Sequence, residues 1–366
     1  MKGRSLSKVL AITMVFVLTI AFAAFPVSAA TTYTPIGGST NITKNLVVEN
    51  DANIPDIVFN YTITRGEAKA ATASTIEILA SDVTASIGTA SFSNADTSSA
   101  QQGTPTDSTD TTKKYAQKEV AVTFPDGSFT KPGVYRYIIH ESNGGKPGVT
   151  YDATARYLDV YVTANNNNEL EVSSYVLRST ESSINTNLTY AISEAKSVGY
   201  TNTVTQYDFT FSKAIAGNQG DKNKRFTFTL SISNAIPGTY PVTATDVTGN
   251  PVSITVGTDG TYTGNFDLTN NSSLVVLNLN ENAVCTVSED SQDYAATYSL
   301  DGETANSGSS SGQVTMNNSH TVAFTNTRTG TIPTGILLTV GPFAVGLLVF
   351  GALAIFFFSR RKRSSY

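Results

Sequence analysis

The chain has one cysteine, Cys285, no tryptophan and only two histidines, His140 and His320. A single thiol cannot form an internal disulfide, so an exported chain of this kind lacks the usual covalent staple. Metal sites built from Cys and His are excluded on count alone, and no cofactor is expected. Both histidines lie on strand-like runs of ordinary pattern, which leaves a surface hydrolase with neither a triad nor a metal centre to use. Cys285 sits in AVCTVSED and reads as a small apolar core residue. No amphipathic helix of useful length appears between the two ends of the chain. Basic residues are also scarce there. Of 24, seven fall at the ends, which leaves 17 against 29 acidic residues and a net charge of −12. An acidic exterior of this kind argues against nucleic acid as a partner.

The long apolar runs are confined to the ends. Lys2, Arg4 and Lys8 precede the apolar stretch 9–25, and Val27-Ser28-Ala29-Ala30 supplies small residues. This pattern predicts a secretory signal peptide over 1–30, cut near Ala29 or Ala30. At the other end Pro333-Thr334-Gly335 is followed by 23 uncharged residues, 336–358, and then by Arg360-Arg361-Lys362-Arg363. At about 1.5 Å per residue the run spans roughly 34 Å, enough for a transmembrane helix, and the cations should stay on the cytoplasmic side. This order resembles the cell-wall sorting signal of Gram-positive surface proteins, in which a sortase cuts between Thr and Gly and passes the Thr carboxyl to an amine. Here the cut would fall between Thr334 and Gly335. Thr331-Ile332-Pro333-Thr334-Gly335 departs from the common Leu-Pro-x-Thr-Gly form by placing Pro333 directly before Thr334, as in some pilin-class signals. A plain single-span anchor is the other reading of this tail.

Between the ends lie roughly 300 residues, enough for two ordinary domains. They read as all-β: Thr, Val, Ile, Tyr and Phe alternate with polar residues in short runs broken by Gly, Pro, Asn and Asp. Runs 155–164 and 169–177 predict a hairpin round the polar turn 165–168. Runs 119–124 and 134–141 predict a similar pair round Pro125-Asp126-Gly127. Further strands are expected at 226–233, 252–256, 261–268, 273–280 and 284–289. Residues 95–116 read as a long exposed loop, and 303–312 as a shorter one.

A diverged repeat runs through this region. In the first copy Lys44 comes early, Glu141 ends a strand, and Tyr200-Thr201-Asn202 closes the unit. In the second the same places fall to Lys213, Glu289 and Phe324-Thr325-Asn326. The boundary is expected near 204–206, giving units over 31–205 and 206–330 and a sorting signal over 331–366. If the first and last strands of each unit are neighbours in a sandwich, Lys and Asn can point into one core. Burial lowers a lysine pKa and raises that of a glutamic acid. A neutral amine is a nucleophile, and a protonated acid beside an amide can polarise it and shuttle protons. The amine would displace ammonia and join the side chains by an amide, with proximity in the core replacing an enzyme. Taken singly the residues prove little, since a strand Lys usually snorkels to water and an aromatic-x-Asn usually leads into a turn.

The segment FTKPGVYRYIIHE at 129–141, followed by KPGVTYD at 146–152, resembles the major (backbone) pilins of Gram-positive bacteria that sortases assemble, streptococcal ones above all. ITKNL around Lys44 and GYTN around Asn202 fit the same pattern, as do FSKAIAG around Lys213, VSED around Glu289 and VAFTN around Asn326. The second-unit match is shorter. The resemblance implies two tandem Ig-like, CnaB-type β-sandwich domains, each locked by a self-formed Lys–Asn isopeptide bond. It implies a covalently linked, wall-anchored surface fibre whose partners are a class C-type pilus sortase and other copies of the chain head to tail. Minor pilins and a housekeeping sortase would join them, with the membrane involved only before sorting. It also implies an acceptor lysine just before the closing Asn, and Lys196 is the one in that place, six residues before Asn202. There is no YPKN-type motif, and Lys113, Lys114 and Lys118 are rivals. On this reading the chain is not a turnover enzyme. The alternative is an adhesin or a minor tip or base pilin attached to the wall as a monomer.

Overall fold

The computed structural model describes residues 32–181, 184, 197–330, 343 and 345–350. Over 32–330 the regular structure is almost wholly β-strand, arranged around two large hydrophobic cores. The signal-peptide region 1–30 and Pro333-Thr334-Gly335 lie outside the described residues, as does Lys196. Of the apolar run 336–358, only 343 and 345–350 are described, and they are helical. Among the described residues no helix is long and apolar enough to cross a membrane.

Seven strands carry the first core: β1 (Ile36–Glu49), β2 (Tyr61–Arg65), β3 (Lys113–Phe129), β4 (Gly133–Glu141), β5 (Arg156–Ala164), β6 (Leu170–Arg178) and β7 (Tyr200–Val204). One sheet sets β1 between β3 and β7, with the two-residue strand Val149–Thr150 on the far side of β7. The other runs β6-β5-β4-β2. Because side chains alternate along a strand, β4 sends Tyr135, Tyr137, Ile139 and Glu141 to one face. There the apolar ones meet Leu46, Phe124, Phe129 and Tyr200 from the facing sheet. The 155–164/169–177 hairpin forms as expected, as β5 and β6.

Pro125-Asp126-Gly127 does not form the expected hairpin. β3 runs through it and pairs with β1, whereas β4 lies in the opposite sheet. Residues 125–128 make a bulge opposite Gly37, since Ile36 pairs with Phe129 and Gly38 with Phe124. A side chain on Gly37 would collide with the Phe124 carbonyl. The crossing to β4 is made at 130–132, where the Tyr135 hydroxyl accepts the N–H groups of Thr130 and Lys131 at 3.0 and 3.1 Å. The expected loop 95–116 is also shorter. A 3₁₀ turn occupies Asn94–Ser99, Gln101–Gln102 pairs with β3, and β3 itself begins at Lys113.

Thr205 alone separates β7 from β8 (Gln206–Ala216), which opens the second core. The rest are β9 (Phe226–Ser233), β10 (Gly238–Val247), β11 (Tyr262–Asn280), β12 (Val284–Glu289), β13 (Ala295–Leu300) and β14 (His320–Thr327). The two strands expected at 261–268 and 273–280 are one. The first part of β11 pairs with β9 and the second with β8. The polar break 269–272 turns the corner, with Asn271 at φ 65°, a conformation asparagine tolerates.

On the face of β4–β6 away from the main core, Asp159 is held between two arginines. Arg136 donates to it at 2.6 and 2.9 Å and Arg178 at 2.6 Å, and all three are buried. A smaller apolar cluster of Ile78, Val134, Tyr161 and Ile184 lies alongside. Asp159→Ala removes the counter-ion of two buried guanidinium groups. It is expected to destabilise the first unit by about 3–5 kcal/mol, read from the midpoint of urea unfolding.

Candidate functional site

β1 and β7 are the first and last strands of the first unit, and they run parallel as neighbours. Lys44 stands opposite Tyr200 and Leu46 opposite Asn202, so Lys44 and Asn202 share the inward face two residues out of step. Glu141, at the end of β4, reaches them from the facing sheet. The Lys44 Nζ donates to Glu141 Oε2 at 2.5 Å, and the Asn202 Nδ2 donates to Glu141 Oε1. The Asn202 Oδ1 accepts the backbone N–H of Asp152 at 2.8 Å. Both Lys44 and Asn202 are fully buried. Aromatic rings form the wall: Lys44 Nζ lies 4.2 Å from the Phe59 ring centroid, and Tyr61 packs on Tyr200 at 5.4 Å. Glu141 borders a cleft of about 460 Å³ that Lys146, Tyr151 and Glu281 also line.

The second unit repeats the arrangement. β8 and β14 run parallel, with Lys213 opposite Phe324 and Ile215 opposite Asn326, the same two-residue offset. Glu289 ends β12, and Lys213 Nζ lies 2.6 Å from its Oε2. Phe226 and Phe228 wall the amine at 4.3 and 5.6 Å. Asn326 is fully buried, and among the described residues neither atom of its amide, nor Glu289 Oε1, has a hydrogen-bond partner. The Asn326 amide lies close enough to depress the Glu289 pKa, but no bond of normal geometry joins them.

Burial sets the protonation. It pushes Lys44 down to about 8 against the opposing pull of Glu141, and Lys213 down to about 8 against Glu289. Glu141 and Glu289 are both raised, again by burial first, with their lysines pulling the other way. Both shifts favour passing the proton from amine to acid, which would place a neutral nucleophile, a protonated acid and a primary amide at one point in each core.

Other residues singled out in the sequence fall elsewhere. Lys113 is tied to Glu49, Lys118 to Asp96 at 2.6 Å, and Lys114 is half-buried. Cys285 is fully buried in the second core, where burial pushes its thiol up to about 12. His140 is exposed on β4, and His320 pairs with Asp301 at 2.7 Å. The sequence reading missed the aromatic walls and the part played by Asp152 and Arg156. Asp152 reaches Asn202 through its backbone, and a main-chain donor leaves no residue-type pattern to read.

Residues 40–205 match the FctA family, described as a Spy0128-like isopeptide containing domain, and 207–328 match a domain of unknown function, DUF7601. A pilin of Streptococcus pyogenes serotype M1 is 29% identical over 254 residues, covering 65% of this chain and 71% of that protein. The crystal structure of the major pilin from S. pyogenes aligns with 80% of this chain and 99% of its own at 22% identity, with a TM-score of 0.49. A second S. pyogenes major pilin, T-13, aligns with 81% and 100% at the same identity and score.

Replacing Glu141 by Gln removes what holds the Lys44 pKa up and leaves the burial that lowers it. In that variant the Lys44 amine is expected to titrate below about 8, followed by NMR of ε-carbon-labelled lysine.

Proposed function

The chain is an FctA-like pilin by its domain at 40–205 and its likeness to a streptococcal pilin, and from that premise we propose that it is a structural subunit of a covalently linked cell-surface pilus. Two tandem Ig-like domains each lock themselves by an amide, Lys44–Asn202 in the first and Lys213–Asn326 in the second. The observation that carries this reading is the recurrence of one cluster: a buried Lys, Glu and Asn, with Lys and Asn on parallel first and last strands at the same offset.

The chemistry follows from the contacts. Glu141 takes a proton from Lys44, and the neutral amine attacks the Asn202 Cγ. Glu141 then gives its proton to Nδ2 and takes a second from the attacking Nζ, the Cγ–Nδ2 bond breaks, and ammonia departs, for which the cleft beside Glu141 offers a way out, leaving a neutral amide and a protonated acid. Glu289 plays the same part for Lys213 and Asn326. Each bond forms once, so the protein is a product of its own chemistry and not a turnover enzyme. Export by the signal peptide and retention by the span 336–358 would precede sorting. A pilus sortase would cut Thr334–Gly335, form an acyl-enzyme on Thr334, and pass it to Lys196 of another subunit. Lys113 and Lys118 are engaged in ion pairs, which favours Lys196 among the rivals. Head-to-tail joining does not close on itself, so it makes a fibre.

The intact mass of the exported part, 31–334, tests the amides. A deficit of two ammonias from the sequence mass is expected, with Lys44→Ala and Lys213→Ala each regaining one. No deficit overturns the reading.

The pH dependence has a definite sign. The reactive state, neutral amine beside protonated acid, holds as many protons as the ion pair. The rate is therefore flat where the pair shares one proton. It falls at low pH, where both groups are protonated, and again above about 8, where Lys44 gives up that proton. Ammonia loss from chain refolded out of inclusion bodies, timed at several pH values, should trace this bell.

A further inference from the structure

The two clusters differ at the atom that must carry negative charge. Attack on Asn202 Cγ drives charge onto Oδ1, and the Asp152 N–H already lies 2.8 Å from it. Among the described residues Asn326 Oδ1 has no donor. Resting on the isopeptide reading above, we propose that the backbone N–H of Asp152 is the oxyanion donor for closure of the first amide, with Arg156 as its positioning residue. The second amide closes without such a donor and more slowly.

The cause lies in the strands that flank each Asn. Beside β7 the edge strand has two residues, Val149–Thr150, paired with Val204 and Thr203. The chain then leaves the sheet at Tyr151, so the next N–H is not spent on a ladder and turns to the Asn202 amide. Beside β14 the neighbour is β13, which pairs without interruption from Ala295 to Leu300, with Ala296 opposite Asn326. No N–H is released there.

Arg156 fixes the turn that presents the donor. Its Nη2 holds the Asp152 carboxylate at 2.5 Å and its Nη1 the Thr154 carbonyl at 3.0 Å. Its Nε reaches Ser197 Oγ at 2.8 Å and the Gly199 carbonyl at 3.2 Å, and its guanidinium lies 4.8 Å from the Tyr200 ring. One side chain thus ties the donor's turn to the strand that carries the electrophile.

The step balances. From the neutral amine and protonated Glu141, Lys44 Nζ–Cγ forms, charge rests on Oδ1 against the Asp152 N–H, and the attacking nitrogen's surplus proton passes to Glu141 as Glu141 protonates Nδ2. On collapse Cγ–Nδ2 breaks, and Nδ2 leaves as ammonia with a proton from Glu141. A preorganised donor at the oxyanion is worth about 10²–10³ in rate where one has been removed from other acyl-transfer sites.

The test refolds unreacted chain 31–334 and times the Lys44–Asn202 and Lys213–Asn326 linked peptides separately by mass spectrometry. In the parent the first amide is expected to form ahead of the second. Asp152→Pro deletes the N–H and should slow the first amide by about 10²–10³, with the second at the parental rate as internal control for folding. The flat part of the pH profile should drop and its limits should shift down, because Asp152→Pro also removes a carboxylate that raises Lys44 and Glu141; with an ester in place of the Asp152 amide, which keeps that carboxylate, it should drop without moving. Arg156→Ala should slow the first amide less, and Arg156→Lys should recover part of that loss. If Asp152→Pro does not fold, an amide-to-ester replacement at the Asp152 nitrogen removes the donor with little change of shape and decides the matter. A first amide that forms at the parental rate without the N–H, or a second amide that closes first in the parent, overturns the proposal. If neither amide forms in the parent, the isopeptide reading itself fails.

Discussion

Two ion pairs set the terms for this molecule: Lys44–Glu141 and Lys213–Glu289, each with side chains out of contact with water. Such pairs are poor stabilisers, because taking two charges out of water costs several kcal/mol per ion before their attraction repays any of it. Aromatic rings over the amines soften the cost but do not remove it. The unpartnered Asn326 amide and Glu289 Oε1 add a penalty in the second core. An apolar trio of similar volume would give a more stable precursor. The proposed chemistry accounts for the expense: once the amide forms, a neutral bond and a protonated acid stand where two charges stood.

Geometry then decides when that can happen. In the first unit the amine and the amide come from one sheet and the acid from the other, and in the second all three strands belong to one continuous sheet that turns back on itself. In both units Lys and Asn lie on parallel strands at opposite ends of the unit's sequence, and a shift by one residue would turn either side chain to the outer face. All three groups converge only when the first strand, the last strand and the strand that carries the acid are in place. Bond formation on this plan follows folding and does not guide it. The chain must therefore reach its native register with no covalent help, by the packing of the two cores alone.

The sequence was most legible where periodicity and spacing carry the information. The all-β character followed from alternation, and the limits of β9 and β12 were readable to the residue because both are half-buried strands bounded by turn residues. Lys44, Glu141 and Asn202 could be singled out because their order recurs in the second half of the chain and resembles the pilin pattern, whereas no one of them is telling alone. Less legible were features that depend on what lies opposite. Pro125-Asp126-Gly127 has turn chemistry, but facing Gly37 it makes a bulge within β3. The polar break in β11 looks like a strand end and is a corner within one long strand, where its pairing passes from β9 to β8. The Arg136–Asp159–Arg178 cluster and the Asp152–Arg156 turn are tertiary contacts between ordinary-looking residues. The Asp152 donor is main chain, invisible in any residue pattern.

Chain connectivity gives the two amides different mechanical duties on the proposed assembly. Tension would enter at Lys196 and leave at Thr334. β7 passes into β8 through Thr205 alone, so the shortest covalent route runs along the backbone to Lys213, across the second amide to Asn326, and on to the cleavage site. The first amide joins Lys44 to Asn202, and everything before Lys196 hangs beside that route. Its duty is to keep a sandwich closed against unfolding and proteolysis, whatever the load. Without the second amide, by contrast, pulling would shear β8 past its parallel neighbour β14 and pay out the whole segment between them. On that assembly the bond proposed to form without an oxyanion donor would be the one that bears the tension. Its slower closure is harmless only if it is complete before the subunit joins a fibre under load, which makes the interval between export and sorting a physical requirement of the design.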